Sequence, residues 1–185
     1  MRRVAALAAA LAGLGAAGAA SAFDDATTGF GLAPPPGYSA TRTGHRRQFD
    51  IGVGLNPIAG RPTKAGTGDY LCEAGFKQAE ANAKLSRAEI NALIERPEWV
   101  NLAKAAFEFV FRITDEGRFT LRGYRGLELL AAPKAGPDHE NVRVFVSLAE
   151  TPKGRVTLIC ATTRAEFAAA LADFRAIRAG IRLPE

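Results

Sequence analysis

The first twenty-two residues are set apart from any fold this chain can adopt. Met1-Arg2-Arg3 leads into a long Ala/Leu/Gly run that ends at Ala20-Ser21-Ala22, just before Phe23-Asp24-Asp25. A cationic start, an apolar middle and small residues at the cleavage position are the pattern of a secretory signal peptide. The run is mostly Ala and Gly and falls short of the roughly 20 strongly apolar residues that a membrane span needs. Removal of residues 1–22 is therefore expected to leave no spanning segment. The first cysteine is Cys72, too late for lipidation at the cleavage site, and Arg2-Arg3 lacks the flanking residues of a twin-arginine signal. What must fold is residues 23–185, expected as one domain in a periplasmic or secreted, oxidising setting.

That length suffices for a core without additional staples. Loss of the leader lowers the formal charge from +5 to +3. The remaining cations are dispersed, and the densest cluster, His45-Arg46-Arg47, reads as a solvated turn, so a nucleic-acid partner is not expected. Two cysteines in an oxidising compartment are expected to pair, which predicts a Cys72–Cys160 disulfide. The rival reading makes Cys72 a nucleophile just before an apparent helix, with His45 or His139 as its base. A lone thiol in that compartment tends to oxidise, which favours pairing.

Along the chain, Phe30-Gly-Leu-Ala followed by Pro34-Pro35-Pro36 reads as an edge strand stopped by proline. Gln48 to Leu55 places Phe49, Ile51, Val53 and Leu55 on one face at strand period. Asn56 to Asp69 reads as a long, mobile surface loop. Within it, Lys64 precedes Gly66, so the glycines do not have phosphate-loop spacing. Ser86-Arg-Ala-Glu89 and Thr163-Arg-Ala-Glu166 both have capping-box grammar. The first opens a helix through Ile90, Leu93 and Ile94, with a further helical segment from Pro97 through Ala106. The second opens an amphipathic helix through Phe167, Leu171, Phe174, Ile177 and Ile181, with Gly180 as its stop.

Between the helices the period changes to two. Phe107 to Ile113 is expected to turn at Asp115-Glu116-Gly117 into Arg118 to Arg122, with further strands at Leu127 to Ala131, Val142 to Leu148 and Arg155 to Ala161. The expected class is α+β, a mostly antiparallel sheet flanked by helices in the order β-β-α-β-β-β-β-α.

Three stretches, Gly29-Phe30-Gly-Leu-Ala-Pro-Pro-Pro36-Gly37-Tyr38, Gly123-Tyr124-Arg-Gly126-Leu-Glu128-Leu, and Arg155-Val-Thr-Leu-Ile-Cys160-Ala-Thr continuing into Phe167, Leu171, Phe174 and Ile177, give the chain a topology and spacing that resemble the PsbP-like α/β/α sandwich. The resemblance implies an accessory or assembly protein acting on a larger complex, with no general catalytic residues to carry over.

The residues themselves offer little chemistry. His45 lies beside two arginines and His139 in a turn between Asp138 and Glu140, without metal-ligand spacing. Ser39, Ser86 and Ser147 sit in no nucleophile elbow. No cofactor is expected. Arg118 and Arg122, with Arg143 and Arg155 on neighbouring strands, would line one sheet surface if the registers coincide, and guanidinium groups recognise carboxylate or phosphate. The alternative pairs them with Glu108, Glu128 and Glu150. The sequence thus reads as an exported, non-enzymatic binding or accessory module of the bacterial cell envelope, with an envelope protein as partner. Two other readings remain open: a carrier of a small ligand or anionic lipid, with an apolar pocket near Trp99 and Tyr124, and an envelope enzyme that uses Cys72.

Overall fold

The computed structural model describes residues 22–44 and 48–185. The leader up to Ser21 and His45-Arg46-Arg47 lie outside the described residues. The rest is an α+β sandwich. Ten strands, β1 (Phe23–Asp24), β2 (Gly31–Leu32), β3 (Tyr38–Arg42), β4 (Ile51–Pro57), β5 (Cys72–Gln78), β6 (Phe111–Leu121), β7 (Tyr124–Pro133), β8 (Val142–Thr151), β9 (Gly154–Thr163) and β10 (Ile181–Arg182), combine with three helices, α1 (Arg87–Ile94), α2 (Pro97–Glu108) and α3 (Phe167–Ala179). Seven strands form one antiparallel sheet in the order β3-β4-β5-β9-β8-β7-β6, and β1-β2-β10 form a small second one.

Register shows which side each helix covers. Trp99 of α2 lies under the Arg155 guanidinium, 5.7 Å from ring centroid to charge. Phe174 of α3 packs at 5.7 Å on Phe145, which pairs with Cys160 on β9. Positions 155 and 160 differ in parity, and alternate residues of a strand face opposite sides. Helices α1 and α2 therefore lie on one face, against β7, β8 and β6, and α3 on the other, against β8 and β9. The core includes Phe30, Phe145, Phe174, Ile90, Ile94, Leu127 and Leu129, all fully buried.

Over β4 and β5 the α1/α2 face has no helix, and aromatic rings cover it. A Cβ on Gly54 would come within 2.3 Å of the Tyr70 ring, and one on Gly75 within 2.2 Å of Phe49. Glycine lets those rings lie flat on the backbone. Phe49 thus sits across the sheet from Val53 and Leu55, contrary to the strand face expected for it, because the chain turns at Asp50 before β4 begins.

Several boundaries differ from expectation. Cys72 opens strand β5 and precedes no helix. Its Ala, Glu and Lys are helix formers, yet Cys72, Ala74 and Phe76 face the core at a period of two. Phe107 lies in the last turn of α2 and Phe109 caps its end, neither in a strand, and Phe109 is 87 % exposed. Asp115-Glu116-Gly117 makes no turn. β6 runs straight through it with a register shift between Ile113 and Asp115, and the hairpin closes at Arg122-Gly123, both at positive φ. β2 is the central strand of the small sheet, because it ends at Leu32 before the prolines begin.

The Ser86 capping box is present, with Glu89 N–H donating to Ser86 Oγ at 3.3 Å and Ser86 N–H to the Glu89 carboxylate at 2.8 Å. Ser86→Ala is expected to cost about 1 kcal/mol, measurable as a lower urea midpoint at an unchanged slope. The Thr163 box does not cap a helix. Glu166 accepts from Thr63 N–H at 2.8 Å and from Arg61 at 3.1 Å, and α3 begins after it. The same contacts, with a Lys64–Thr162 bridge and a Thr162 hydroxyl donating to Thr63 O at 2.6 Å, stitch the expected mobile loop onto the end of β9. Lys64 Nζ donates back to Gly68 O at 2.6 Å, closing its own loop.

Candidate functional site

Cys72 and Cys160 pair directly across β5 and β9, joined by a disulfide, and both are fully buried. That leaves no thiol for the nucleophile reading, and the cysteines act as a staple between strands. Trp99 and Tyr124 do not frame a pocket either. Both are buried in the packed core, with Arg155 over one ring and Arg87 over the other at 4.9 Å.

The open spaces lie at the far end of the sheet, where the Pro133–Asn141 connection joins β7 to β8. On the α1/α2 face, beyond the reach of those helices, is a cleft of about 490 Å³. Its floor is Val142, Val144, Ile159 and Ala161, one cross-strand block of β8 and β9. Tyr70 and Phe111 help to wall it, and Asp69, Glu73 and His139 bring polar groups to its margin. Val110, at its mouth, is 48 % exposed and follows the exposed Phe109. The apolar floor exists because both faces of these central strands are written for burial, whereas α1 and α2 cover only the other end of this face.

A second cavity of about 390 Å³ shares Pro133 and His139 with the first and is lined by Arg112, Lys134, Arg143, Arg164, Ala132 and Glu140. Arg112 pairs with Ala132, and Arg143 with Thr162. Because Ala131 pairs with Val144, Ala132 and Arg143 follow one another in the same register, and all four residues form a cross-strand row on the α3 face. Arg143 Nη1 donates to Glu140 O at 2.9 Å and Val142 O at 2.7 Å, which fixes its guanidinium against the turn. Lys134 Nζ donates to Glu108 O.

The arginines expected to share one surface are dispersed. Arg118, opposite Leu127, and Arg155 lie on the α1/α2 face, Arg143 on the other, and Arg122 in the hairpin turn, where its Nε donates to Ile181 O at 3.0 Å. Of the expected ion pairs one forms, Arg155 with Glu150 at 2.6 Å. Glu150 is buried and also accepts from Asn82 at 2.9 Å. Glu128 is taken by α3, with Arg175 at 2.6 Å and Arg178 at 2.5 Å. Arg112 and Arg164 escaped notice in the sequence because their common cavity exists only once the β6–β9 registers are known. The one local signal was a turn-rich Pro133–Asn141 segment that contains Lys134 and is followed by Arg143.

Among the described residues no three His, Cys, Asp or Glu side chains gather as a metal site, and no helix is long and apolar enough to cross a membrane. No protein-family model matches the chain. No curated protein matches its sequence. Its architecture is similar to the solution structure of cyanobacterial PsbP (CyanoP) from Synechocystis sp. PCC 6803, with a TM-score of 0.56 over 95 % of this chain and 98 % of that one, at 11 % identity. At that identity the likeness carries the fold and nothing finer. The seven-stranded antiparallel sheet, sandwiched between α1/α2 and α3, is a PsbP-like fold.

Proposed function

We propose that this protein is an exported, non-enzymatic binding module of the bacterial cell envelope, and that it engages its partner at the Pro133–Asn141 end of the sheet. The observation that carries the reading is the 490 Å³ cleft with an apolar floor, flanked by Phe109 at 87 % and Val110 at 48 % exposure. Large apolar side chains left in water beside an apolar cleft mark a surface that is covered when the protein works. The disulfide supports a working life outside the cytoplasm. The PsbP-like fold is compatible with the accessory role that the family resemblance implies.

The cleft volume also supports a second reading, a carrier of a small ligand, since pockets for such ligands span about 300–1,000 Å³. One experiment separates the two. The mature protein is isolated gently from its own envelope and weighed by native and then by denaturing mass spectrometry. A protein-sized mass lost on denaturation supports the accessory module, and a mass of a few hundred daltons supports the carrier. A photo-crosslinking residue at position 109 is expected to capture the partner in the first case. A bare monomer, together with no crosslink from position 109 in the intact cell, overturns both.

A further inference from the structure

The basic cavity gathers half of the arginines that reach no carboxylate among the described residues. Arg42, Arg61, Arg87, Arg125, Arg155, Arg175, Arg178 and Arg182 each reach a carboxylate. Six others among the described residues, Arg96, Arg112, Arg118, Arg122, Arg143 and Arg164, pair with no carboxylate, and three of these, Arg112, Arg143 and Arg164, line one cavity. Collecting like charges around a shared space is unfavourable unless an opposite charge enters it.

The geometry is that of a cradle. Arg112 and Arg143 flank Ala132 in the cross-strand row, about 10 Å apart by two inter-strand spacings. The methyl of Ala132 leaves the space between them open, and Thr162 continues the row on the far side of Arg143. Arg143 uses Nη1 to hold the turn, so its Nε and Nη2 donors form a fixed edge free for a bidentate contact. Arg164, just past β9, closes the third side. Its backbone N–H is tied to Asn141 O at 2.6 Å, while its side chain is exposed. Lys134 adds charge at the rim, and Glu140 is the one carboxylate of the lining, its backbone oxygen already holding Arg143.

We propose that Arg112, Arg143 and Arg164 form a binding site for a phosphate group. Three guanidinium groups lining one cavity suit the several oxygens and double charge of a phosphate monoester better than a single carboxylate, which one fork satisfies. The inference holds whichever occupant the apolar cleft takes. The phosphate can belong to a soluble ester or to a lipid headgroup, and the test distinguishes the two.

Full-length mature protein is titrated with inorganic phosphate at constant ionic strength, following the arginine Nε–Hε resonances by NMR, with chloride as the control anion. Saturable shifts of Arg112, Arg143 and Arg164 are expected with phosphate and not with chloride. Arg112→Gln with Arg164→Gln, two side chains that hold nothing else together in the described structure, is expected to weaken phosphate at least about tenfold at an unchanged melting temperature. Arg143→Lys, which keeps the charge but loses the fork, is the second variant and is expected to weaken phosphate as well. Co-sedimentation with vesicles containing phosphatidic acid, whose headgroup is a phosphate monoester, but not with phosphatidylglycerol vesicles, lost in the double glutamine variant, assigns the phosphate to a lipid headgroup. Phosphate binding without vesicle binding assigns it to a soluble ester. Linear, unsaturable shifts, or equal binding by the double variant, overturn the proposal.

Discussion

Replacing Cys72 and Cys160 together by alanine is expected to lower the unfolding free energy by about 4 kcal/mol, the largest effect of any double substitution considered for this fold. The bond closes a loop of 88 residues. Freeing that loop returns entropy to the denatured chain, on the order of 4 to 5 kcal/mol in the chain-entropy picture. For a domain of this size the loss corresponds to a fall of roughly 10 °C in melting temperature. Calorimetry of the wild type with and without reductant, beside the double alanine variant, checks it: reduced wild type and variant should melt together, well below the oxidised protein. If all three melt alike, the staple contributes nothing and the strand pairing alone sets the stability.

Glu128→Gln is expected to cost about 3 kcal/mol. Glu128 is 7 % exposed and faces Gly117 across the β6–β7 pair, where the missing side chain leaves room for α3 to deliver Arg175 and Arg178. Arg178 also lies 4.0 Å over the Phe119 ring, so this guanidinium is held between a carboxylate and an aromatic face. Removing the carboxylate strands a charge whose side chain is 13 % exposed, and breaking a buried pair from one side typically costs about 3–5 kcal/mol. The lower end applies because the Arg175 side chain is 49 % exposed and is rehydrated readily. Burial alone would push the Glu128 carboxyl up. The hydrogen bonds and charges of the two arginines outweigh it, so the group titrates below the ordinary glutamate range. A depressed folded pKa means the contribution is complete above the unfolded value, near 4.3, and is lost as pH falls through the folded one. The stability gap between wild type and Glu128→Gln should therefore be constant from pH 5 to neutrality and narrow below about pH 4. A gap that widens on acidification would contradict the assignment.

These two sites illustrate what the sequence can and cannot reveal. The disulfide was legible because compartment and cysteine count leave one pairing. β8 and β9 were legible because their apolar runs are long and bounded by turns, and α1 because Ser86 and Glu89 advertise its start. β5 was hidden, since Cys-Glu-Ala-Gly-Phe-Lys-Gln carries helix formers whose preference is overridden only by pairing with β4 and β9. The false turn at Asp115-Glu116-Gly117 arose because acidic residues and glycine serve two purposes. They make turns, and they also occupy an exposed outer strand, where β6 lies. The true turn uses Arg122 at φ 51°, a position arginine seldom takes. The Glu128–Arg178 pair and the Arg112–Ala132–Arg143–Thr162 row depend on residues 11 to 50 positions apart being brought together by strand register, and a one-residue slip in any strand would send them to the other face. Such sites are properties of pairing, not of local pattern.

The position of β9 sets the order in which the protein can become itself. β9 lies between β5 and β8, and nothing before residue 154 can take its place. A chain delivered N-terminus first therefore holds β3, β4 and β5 as a three-strand fragment with a bare edge until most of its length has emerged. The small sheet waits longer still, for Ile181 to reach Leu32. Completion is left to the last thirty or so residues, so a chain cut short of Gly154 is expected to lack the strand that joins the two halves of the large sheet.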